Sequence, residues 1–118
     1  MEKRPTTVLV VDDNQDLAEN IAEILTLHGF ATVIATSAEE ALPKALAARF
    51  DLLVTDFRLP GMTGAELVRR VRETLQTIRA VVMSAYTDDN TIAAARAAGA
   101  TFLPKPVDLS ALSQVLAA

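Results

Sequence analysis

The sequence predicts an α/β fold in which helices cover both faces of a doubly wound parallel sheet of five strands. Two observations support this prediction. Short apolar runs rich in β-branched residues recur along the chain, and segments with a helical apolar period separate them. Most of these runs do not alternate with polar residues, as expected of parallel strands that are buried on both faces. Right-handed crossovers between successive strands then favour a doubly wound sheet.

The composition limits the function. The chain has 118 residues, enough for a domain with its own core, and we expect one domain over residues 1–118. It contains no cysteine, which excludes disulfides and thiolate metal sites. A net charge of -4 argues against a nucleic-acid-binding surface. Because no apolar run approaches the roughly 20 residues of a membrane span and no signal peptide is recognisable, we expect a cytoplasmic domain without membrane contact.

The five predicted strands define the order of the sheet. They are residues 7–11, 31–35, 51–55, 80–84 and 101–104. A (βα)5 unit of this kind has the flavodoxin-like strand order 2-1-3-4-5. In that order the first, third, fourth and fifth strands are neighbours, and the second lies at an edge.

Capping boxes predict where two of the helices begin. Ser37 with Glu40, and Thr63 with Glu66, have the spacing at which the side chain of the first residue accepts a hydrogen bond from the backbone of the second. Pro43 lies inside the helix that follows Ser37, and it should kink or shorten that helix because it removes one backbone hydrogen bond.

Apolar stripes predict the remaining helices. Leu17 and Leu25 belong to the stripe of the first helix, which Gly29 ends. Segment 88–99 is mostly alanine, and Ile92 is its only large apolar residue, so we expect a helix that is weakly docked. A last helix, capped by Asp108, is predicted from the stripe Leu109, Leu112, Val115 and Leu116.

Polar side chains follow four of the five predicted strands. Asp12 and Asp13 follow the first strand, Asp56 the third, Ser84 the fourth and Lys105 the fifth. In an open α/β sheet the ligand site lies at the carboxyl ends of the strands. Because these four strands are neighbours, their polar side chains should converge there.

The chemistry of this group favours phosphoryl transfer. Three clustered carboxylates repel one another, which should raise the pKa of at least one of them. Lys105 supplies one compensating cation, and a divalent ion would supply a second. Ligands that are all oxygen suit Mg²⁺, or alternatively Mn²⁺, and do not suit zinc. A carboxylate nucleophile beside a metal, an ammonium group and a hydroxyl is suited to phosphoryl transfer, with Asp56 as the attacking group.

Four segments in order resemble the receiver domain of bacterial two-component response regulators. The resemblance extends over nearly the whole chain. It implies a phosphoacceptor signalling domain rather than an enzyme, one that catalyses at most its own phosphorylation and slow dephosphorylation. The segments are VLVVDD (8–13), DLLVTDFRLPGMTG (51–64), VVMSAY (81–86) and GATFLPKP (99–106).

The resemblance implies a role for each residue of the site. Asp56 would accept a phosphoryl group from the phosphohistidine of a histidine kinase or a phosphotransfer protein. Asp13 and Asp56 would bind Mg²⁺ together with the backbone carbonyl of Arg58, and Asp12 would act directly or through a water molecule. Lys105 would contact the phosphoryl oxygens.

The resemblance also implies a switch. The Ser84 hydroxyl would be drawn toward the phosphoryl group, and Phe102 would be the switch aromatic. Arg58 and Tyr86 would flank the path of attacking water, and we expect these bulky side chains to slow hydrolysis. The Lys105–Pro106 bond matches a position at which the family has a cis peptide.

Helix 88–99, the fifth strand and the last helix are predicted to form the output surface. The expected partners are a histidine kinase or phosphotransfer protein and a downstream output domain or target, and a dimer that depends on phosphorylation is compatible with them. We expect the chain to be a fragment of a larger regulator or hybrid kinase, with a free-standing receiver as the alternative.

Other interpretations are also open. Asp12 and Asp13 could simply cap the first helix. The chain could be a degenerate receiver that binds partners without phosphorylation. A haloacid-dehalogenase-like phosphatase would need an aspartate where Arg58 stands, and an FMN binder would need a phosphate loop that is missing. His28 is expected to have a surface role at a helix end, and the glycines of PGMTG (60–64) are expected to serve turn geometry.

Overall fold

Five strands form a parallel sheet in the computed structural model, which describes residues 6–107, 110–112 and 114. A short antiparallel ribbon, which the sequence analysis did not predict, follows the third of these strands. In chain order the strands are β1 (Thr7–Val11), β2 (Ala31–Ala35), β3 (Leu52–Asp56), the ribbon strands β4 (Arg58–Leu59) and β5 (Met62–Thr63), β6 (Arg79–Ser84) and β7 (Thr101–Pro104).

The sheet has the strand order β2-β1-β3-β6-β7. Without the ribbon strands this is the order 2-1-3-4-5, so the predicted topology is confirmed. All four pairings within the sheet are parallel. The predicted strand boundaries agree with the observed ones to within one residue. Four strands therefore present their carboxyl ends side by side, as the site prediction requires.

The helices alternate with these strands. They are α1 (Gln15–Leu27), α2 (Ala38–Ala47), α3 (Gly64–Arg72) and α4 (Asp89–Ala97). Residues 110–112 and 114 are also helical, in agreement with a last helix. Four residues named in the prediction of that helix lie outside the described residues: Asp108, Leu109, Val115 and Leu116. None of the helices in the described part of the chain is long and apolar enough to cross a membrane.

Side-chain caps fix the beginnings of the helices. The side chains of Ser37 and Thr63 accept hydrogen bonds from the backbone of Glu40 and Glu66, at 3.0 Å and 3.1 Å, so both predicted caps are confirmed. The cap of α1 is Asn14, whose side chain accepts from the backbone of Leu17. The alternative that Asp12 and Asp13 serve as this cap is therefore wrong.

Pro43 does not interrupt α2. The helix continues past the proline to Ala47, ten residues in all. His28 lies at the opposite end of α1 from Asn14, where its ring nitrogen Nδ1 is 2.9 Å from the carbonyl oxygen of Ile24. This agrees with the expected surface role at a helix end.

Apolar side chains bury both faces of the sheet. Alternate residues of a strand point to opposite faces, and in β1 both sets are buried: Val8 and Val10 pack with α1, whereas Leu9 and Val11 pack with α2 and α3. Each fully buried valine or leucine side chain contributes about 1.5–3 kcal/mol. The close-packed core gives the strand ends a rigid base.

Candidate functional site

The predicted carboxylates meet at the carboxyl ends of β1 and β3. Asp12 and Asp13 follow the last residue of β1, and Asp56 is the last residue of β3. One carboxylate oxygen from each of the three lies within 4.8 Å of the others. Asp12 is fully buried, Asp56 is 8% exposed, and Asp13 faces solvent. The cluster therefore combines two desolvated carboxylates with one hydrated carboxylate.

Lys105 joins this cluster from the end of β7. Its Nζ atom lies 2.8 Å from Asp12 Oδ2 and 3.3 Å from Asp56 Oδ2. The Lys105 backbone N–H donates to the carbonyl of Ser84 at 2.8 Å, which continues the pairing of β7 with β6 beyond Pro104. The Lys105–Pro106 peptide bond is cis, as expected from the resemblance.

Asp12 is buried without being left unpaired. Its Oδ1 atom accepts a hydrogen bond of 2.9 Å from the Asn14 backbone N–H, and its Oδ2 atom accepts from Lys105. Its backbone N–H donates to the carbonyl of Ala35 on β2. Both oxygens therefore have charge-assisted or backbone partners, which is the condition under which a buried carboxylate is tolerated.

The electrostatics of the site distinguish Asp56 from an ordinary carboxylate. Burial raises the pKa of Asp56 above its usual value; Lys105 opposes this shift, and Asp12 adds to it. Burial by itself would lower the pKa of Lys105, but the hydrogen bond to Asp12 and the charge of Asp56 outweigh it, so that the pKa is raised. Lys105 therefore remains an ammonium ion, whereas Asp56 is kept a stronger base than a solvated aspartate.

Ser84 lies at the carboxyl end of β6, whereas Phe102 lies inside β7, three residues before Lys105. Ser84 ends β6, is 1% exposed, and accepts a hydrogen bond of 2.9 Å on its Oγ atom from the backbone of Tyr86. Phe102 is half-buried on β7, where it pairs with Val82 and packs against the core cluster on the α2 and α3 face. A hydroxyl that accepts one bond can still donate its own hydrogen.

Arg58 and Tyr86 contact each other above the strand ends. The guanidinium carbon of Arg58 lies 4.0 Å from the centroid of the Tyr86 ring, a cation–π contact, and both side chains are exposed. Nearby, hydrogen bonds from Thr91 hold the pKa of Asp88 below its usual value, and the charge of Arg58 contributes to the same shift. Sequence reasoning placed both residues at the site but gave no sign that they form a pair.

The structure also shows a contact of Gly64 that sequence reasoning missed. Gly64 begins α3 and packs against the backbone of Asp56. The sequence led us to expect that Gly64 serves turn geometry. The φ angle of Gly64 is not in the left-handed region, however, in contrast to that of Gly61 in the same loop. The backbone conformation at residue 64 therefore does not itself require glycine. A glycine in a loop that also contains Pro60 and Gly61 gives no sequence signal for such a contact.

The donor set fits a small divalent cation. The three carboxylates offer only oxygen ligands, and nitrogen and sulfur ligands are missing from this cluster of described residues. Mg²⁺ prefers such a set and is commonly held by a few carboxylates. The same cluster with an ammonium group beside it can stabilise the charge of a phosphoryl group.

Comparison with known proteins identifies the family. Residues 8–117 match the family model of the response regulator receiver domain. The chain belongs to this family. It is therefore a phosphoacceptor domain of two-component signalling, and the prediction of the family is confirmed. Receiver domains bind Mg²⁺ at their acidic pocket and interact with histidine kinases and output domains.

Two curated relatives illustrate the similarity. The chain is 48% identical, over 84% of its length, to a response regulator receiver protein of Anaeromyxobacter sp.. It is 31% identical, over 86% of its length, to sporulation initiation phosphotransferase F of Bacillus subtilis, of which it covers 83%. The chain spans 42% of the length of the Anaeromyxobacter protein, and 24% and 50% of the lengths of two further curated relatives.

A solved structure supports the same conclusion. A response regulator of Burkholderia pseudomallei, described as having a phosphorylated aspartic acid, a calcium ion and citrate, superposes with a TM-score of 0.87. The two sequences are 28% identical, and the match covers 94% of the present chain and 66% of the Burkholderia chain.

Proposed function

We propose that this receiver accepts a phosphoryl group on Asp56. One observation carries the proposal: Lys105 Nζ lies 3.3 Å from Asp56 Oδ2, within a cluster that includes Asp12 and Asp13. An acidic cluster alone is common on protein surfaces. An acidic cluster with a half-buried ammonium group, at the carboxyl ends of parallel strands, is suited to binding and transferring a phosphoryl group.

Asp12, Asp13 and Asp56 are the side chains that would hold Mg²⁺, with the backbone carbonyl of Arg58 as a further ligand. The close approach of their oxygens supports this assignment. When bound, the ion would neutralise charge on the phosphoryl oxygens and relieve the repulsion among the carboxylates. Mn²⁺ has similar ligand preferences and is the alternative ion.

In the transfer step an Asp56 oxygen attacks the phosphorus of a phosphohistidine. The new P–O bond forms while the P–N bond breaks, and the imidazole of the donor leaves with the electron pair of that bond. Burial, which raises the pKa of Asp56 in the metal-free protein, also limits the hydration of the attacking carboxylate. Lys105 donates hydrogen bonds to the phosphoryl oxygens and keeps its contact with Asp12.

Phosphorylation would then change the surface of the domain. An acyl phosphate brings about −1.5 to −2 charges and three strong acceptors. The Ser84 hydroxyl donates to one of these oxygens, which takes the Ser84 side chain away from the Tyr86 backbone. Phe102 turns into the space that Ser84 leaves. α4, β7 and the last helix form the output surface that reports this change.

Arg58 and Tyr86 would set the lifetime of the acyl phosphate. Their stacked side chains lie beside the strand ends that carry Asp56 and Ser84. A water molecule that approaches the phosphorus from that side must pass them. We therefore propose that they slow hydrolysis, and that catalysis by the domain is confined to its own phosphorylation and slow dephosphorylation.

The partners follow from the same assignment. The donor would be a histidine kinase or a phosphotransfer protein, and the target would be an output domain or a separate protein, with phosphorylation-dependent dimerisation as one form of output. Several relatives are much longer than this chain, which supports the proposal that residues 1–118 are one receiver domain within a larger regulator. A cytoplasmic location follows from the donor, because histidine kinases phosphorylate their partners there.

Intact-mass measurement tests the proposed function. The protein is incubated with acetyl phosphate, with and without Mg²⁺, beside an Asp56→Asn variant. We expect one phosphoryl adduct, which requires Mg²⁺ and is lost in the variant. A folded protein that forms no adduct would support the degenerate receiver. Steady consumption of acetyl phosphate without an adduct would support the phosphatase.

A further inference from the structure

We propose that Gly64 is a positioning residue for the reaction at Asp56, an inference that rests on the proposed function. Gly64 is buried and begins α3. A Cβ atom at this position would overlap the carbonyl oxygen of Asp56, well inside the 3.0 Å that real Cβ atoms keep. It would also lie 3.1 Å from the Asp56 carbonyl carbon and from Thr55 Cγ2. Any side chain at residue 64 therefore displaces α3 or the Asp56 backbone.

The conformation of Gly64 does not itself require glycine. Gly61, three residues earlier, has a φ of +84° and open space around it, so glycine serves backbone geometry there. Gly64 has no such φ, and its surroundings are crowded. What residue 64 requires is the absence of a side chain, so that a helix can begin directly against the strand that carries Asp56.

The Asp56 backbone cannot yield easily to a larger residue. The Gly64 N–H donates to the carbonyl of Phe57 at 2.7 Å, and the Phe57 N–H donates to Met83 of β6 at the same distance. The Thr55 hydroxyl donates to the Asp56 carbonyl at 3.0 Å. These bonds hold the end of β3 from the sides of α3, β6 and β3 itself. An added methyl group would shift this bonded unit and the carboxylate with it.

Such a shift would act on the chemistry through distance. Asp56 Oδ2 lies 3.3 Å from Lys105 Nζ, and one oxygen of Asp56 lies within 4.8 Å of an oxygen of Asp12 and of Asp13. Displacing a reacting group by roughly 1 Å costs on the order of a hundredfold in rate. Gly64 would act through its contact with the Asp56 backbone. Its contribution is the position of the Asp56 carboxylate.

Phosphorylation kinetics of a Gly64→Ala variant test this inference. The rate of adduct formation with acetyl phosphate at saturating Mg²⁺ is measured by intact mass and divided by the folded fraction from circular dichroism. We expect the rate for each folded molecule to fall by about tenfold to a hundredfold. The matched control is Gly29→Ala, at a φ of +91° with open space at the far end of α1. It loses stability but should keep the wild-type rate.

The outcomes separate the inference from the proposed function. A Gly64→Ala variant with the wild-type rate for each folded molecule would overturn the positioning role, because a purely structural glycine affects only the folded fraction. A wild-type protein without an adduct, or an adduct that persists in Asp56→Asn, would overturn the proposed function instead.

A second variant covers the case in which Gly64→Ala does not fold. Thr55→Val keeps the shape of the side chain and removes the hydroxyl that donates to the Asp56 carbonyl. Thr55→Val should slow phosphorylation several-fold, because the Asp56 carbonyl, which Gly64 also contacts, loses the hydrogen bond from the Thr55 hydroxyl. An unchanged rate in Thr55→Val would contradict the claim that the position of this carbonyl governs the reaction.

Discussion

The Asp56 carboxylate lowers the stability of the metal-free fold at neutral pH. Burial raises its pKa in the folded protein above the value of 3.8 expected in the unfolded chain. Between these two pKa values the folded state binds more protons than the unfolded state, so the free energy of unfolding falls as the pH rises through that interval. Above the interval the full cost remains, and below pH 3.8 it vanishes because both states are protonated.

We therefore predict that Asp56→Asn stabilises the metal-free protein. In the presence of a chelator at pH 7, thermal unfolding should shift upward by a few degrees, because the buried negative charge is removed while Lys105 keeps its contact with Asp12. The gain should shrink as the pH falls toward 3.8. An exposed carboxylate variant, Glu23→Gln, is the control and should change little. A lower midpoint for Asp56→Asn at pH 7 would contradict this account of the site.

Arg58 and Tyr86 should act as a unit on the lifetime of the acyl phosphate. Each side chain supports the other through the cation–π contact of 4.0 Å, which at an exposed position is worth about 0.5–1 kcal/mol. Arg58→Ala and Tyr86→Ala should each shorten the lifetime several-fold, and the double variant should shorten it little more than either single one. The lifetime is measured from the rate at which the phosphoryl adduct disappears after acetyl phosphate is removed. If neither single variant changes the lifetime, the shielding hypothesis is wrong.

Among the helices, α4 has few buried residues, but hydrogen bonds hold its carboxyl end. Within this helix only Thr91 and Ala95 are buried, as its alanine-rich sequence predicts. Its carboxyl end is held by Arg72 of α3, which donates to the carbonyl of Ala98 at 3.1 Å and to that of Ile78 at 2.9 Å and 3.2 Å. A Cβ at Gly99 would clash with this guanidinium group. When phosphorylation changes the output surface, the carboxyl end of α4 should therefore stay fixed while its amino end, near Asp88, moves.

Arg72→Met should release the carboxyl end of α4. Two carbonyls lose their charged donor, at a cost of about 1–3 kcal/mol, and amide hydrogen exchange at residues 96–100 should accelerate. Arg70→Met is the control, because the exposed Arg70 side chain pairs only with Glu66 among the contacts described for it. Unchanged protection at residues 96–100 in Arg72→Met would show that α4 is held by other contacts.

For the molecule as a whole, the strand order of the sheet could be predicted from the sequence, and so could the meeting of the site side chains at its carboxyl edge. Continuous β-branched runs identify buried parallel strands, and the strand order then determines which strand ends are neighbours. As predicted, the cluster contains Asp12, Asp13, Asp56 and Lys105. The prediction depends only on the local sequence pattern and on the general geometry of α/β sheets.

Contacts that depend on tertiary packing could not be predicted in this way. Three adjacent residues, Asp12 to Asn14, are all good helix caps, and the path of the chain as it leaves β1 selects Asn14. Gly64 looks like any loop glycine until α3 is seen against β3. Arg72 reaches a carbonyl 26 residues further along the chain. In each case the sequence gives the residue type but not its partner.

We propose that Asp56 is the one of the three clustered carboxylates that receives the phosphoryl group. Borohydride reduces an acyl phosphate to an alcohol, so treating the protein after incubation with acetyl phosphate and Mg²⁺ marks the modified aspartate, and peptide mass spectrometry then locates it. We predict a single reduced residue at position 56. Reduction at Asp12 or Asp13, with position 56 unmodified, would contradict the assignment of roles within this site.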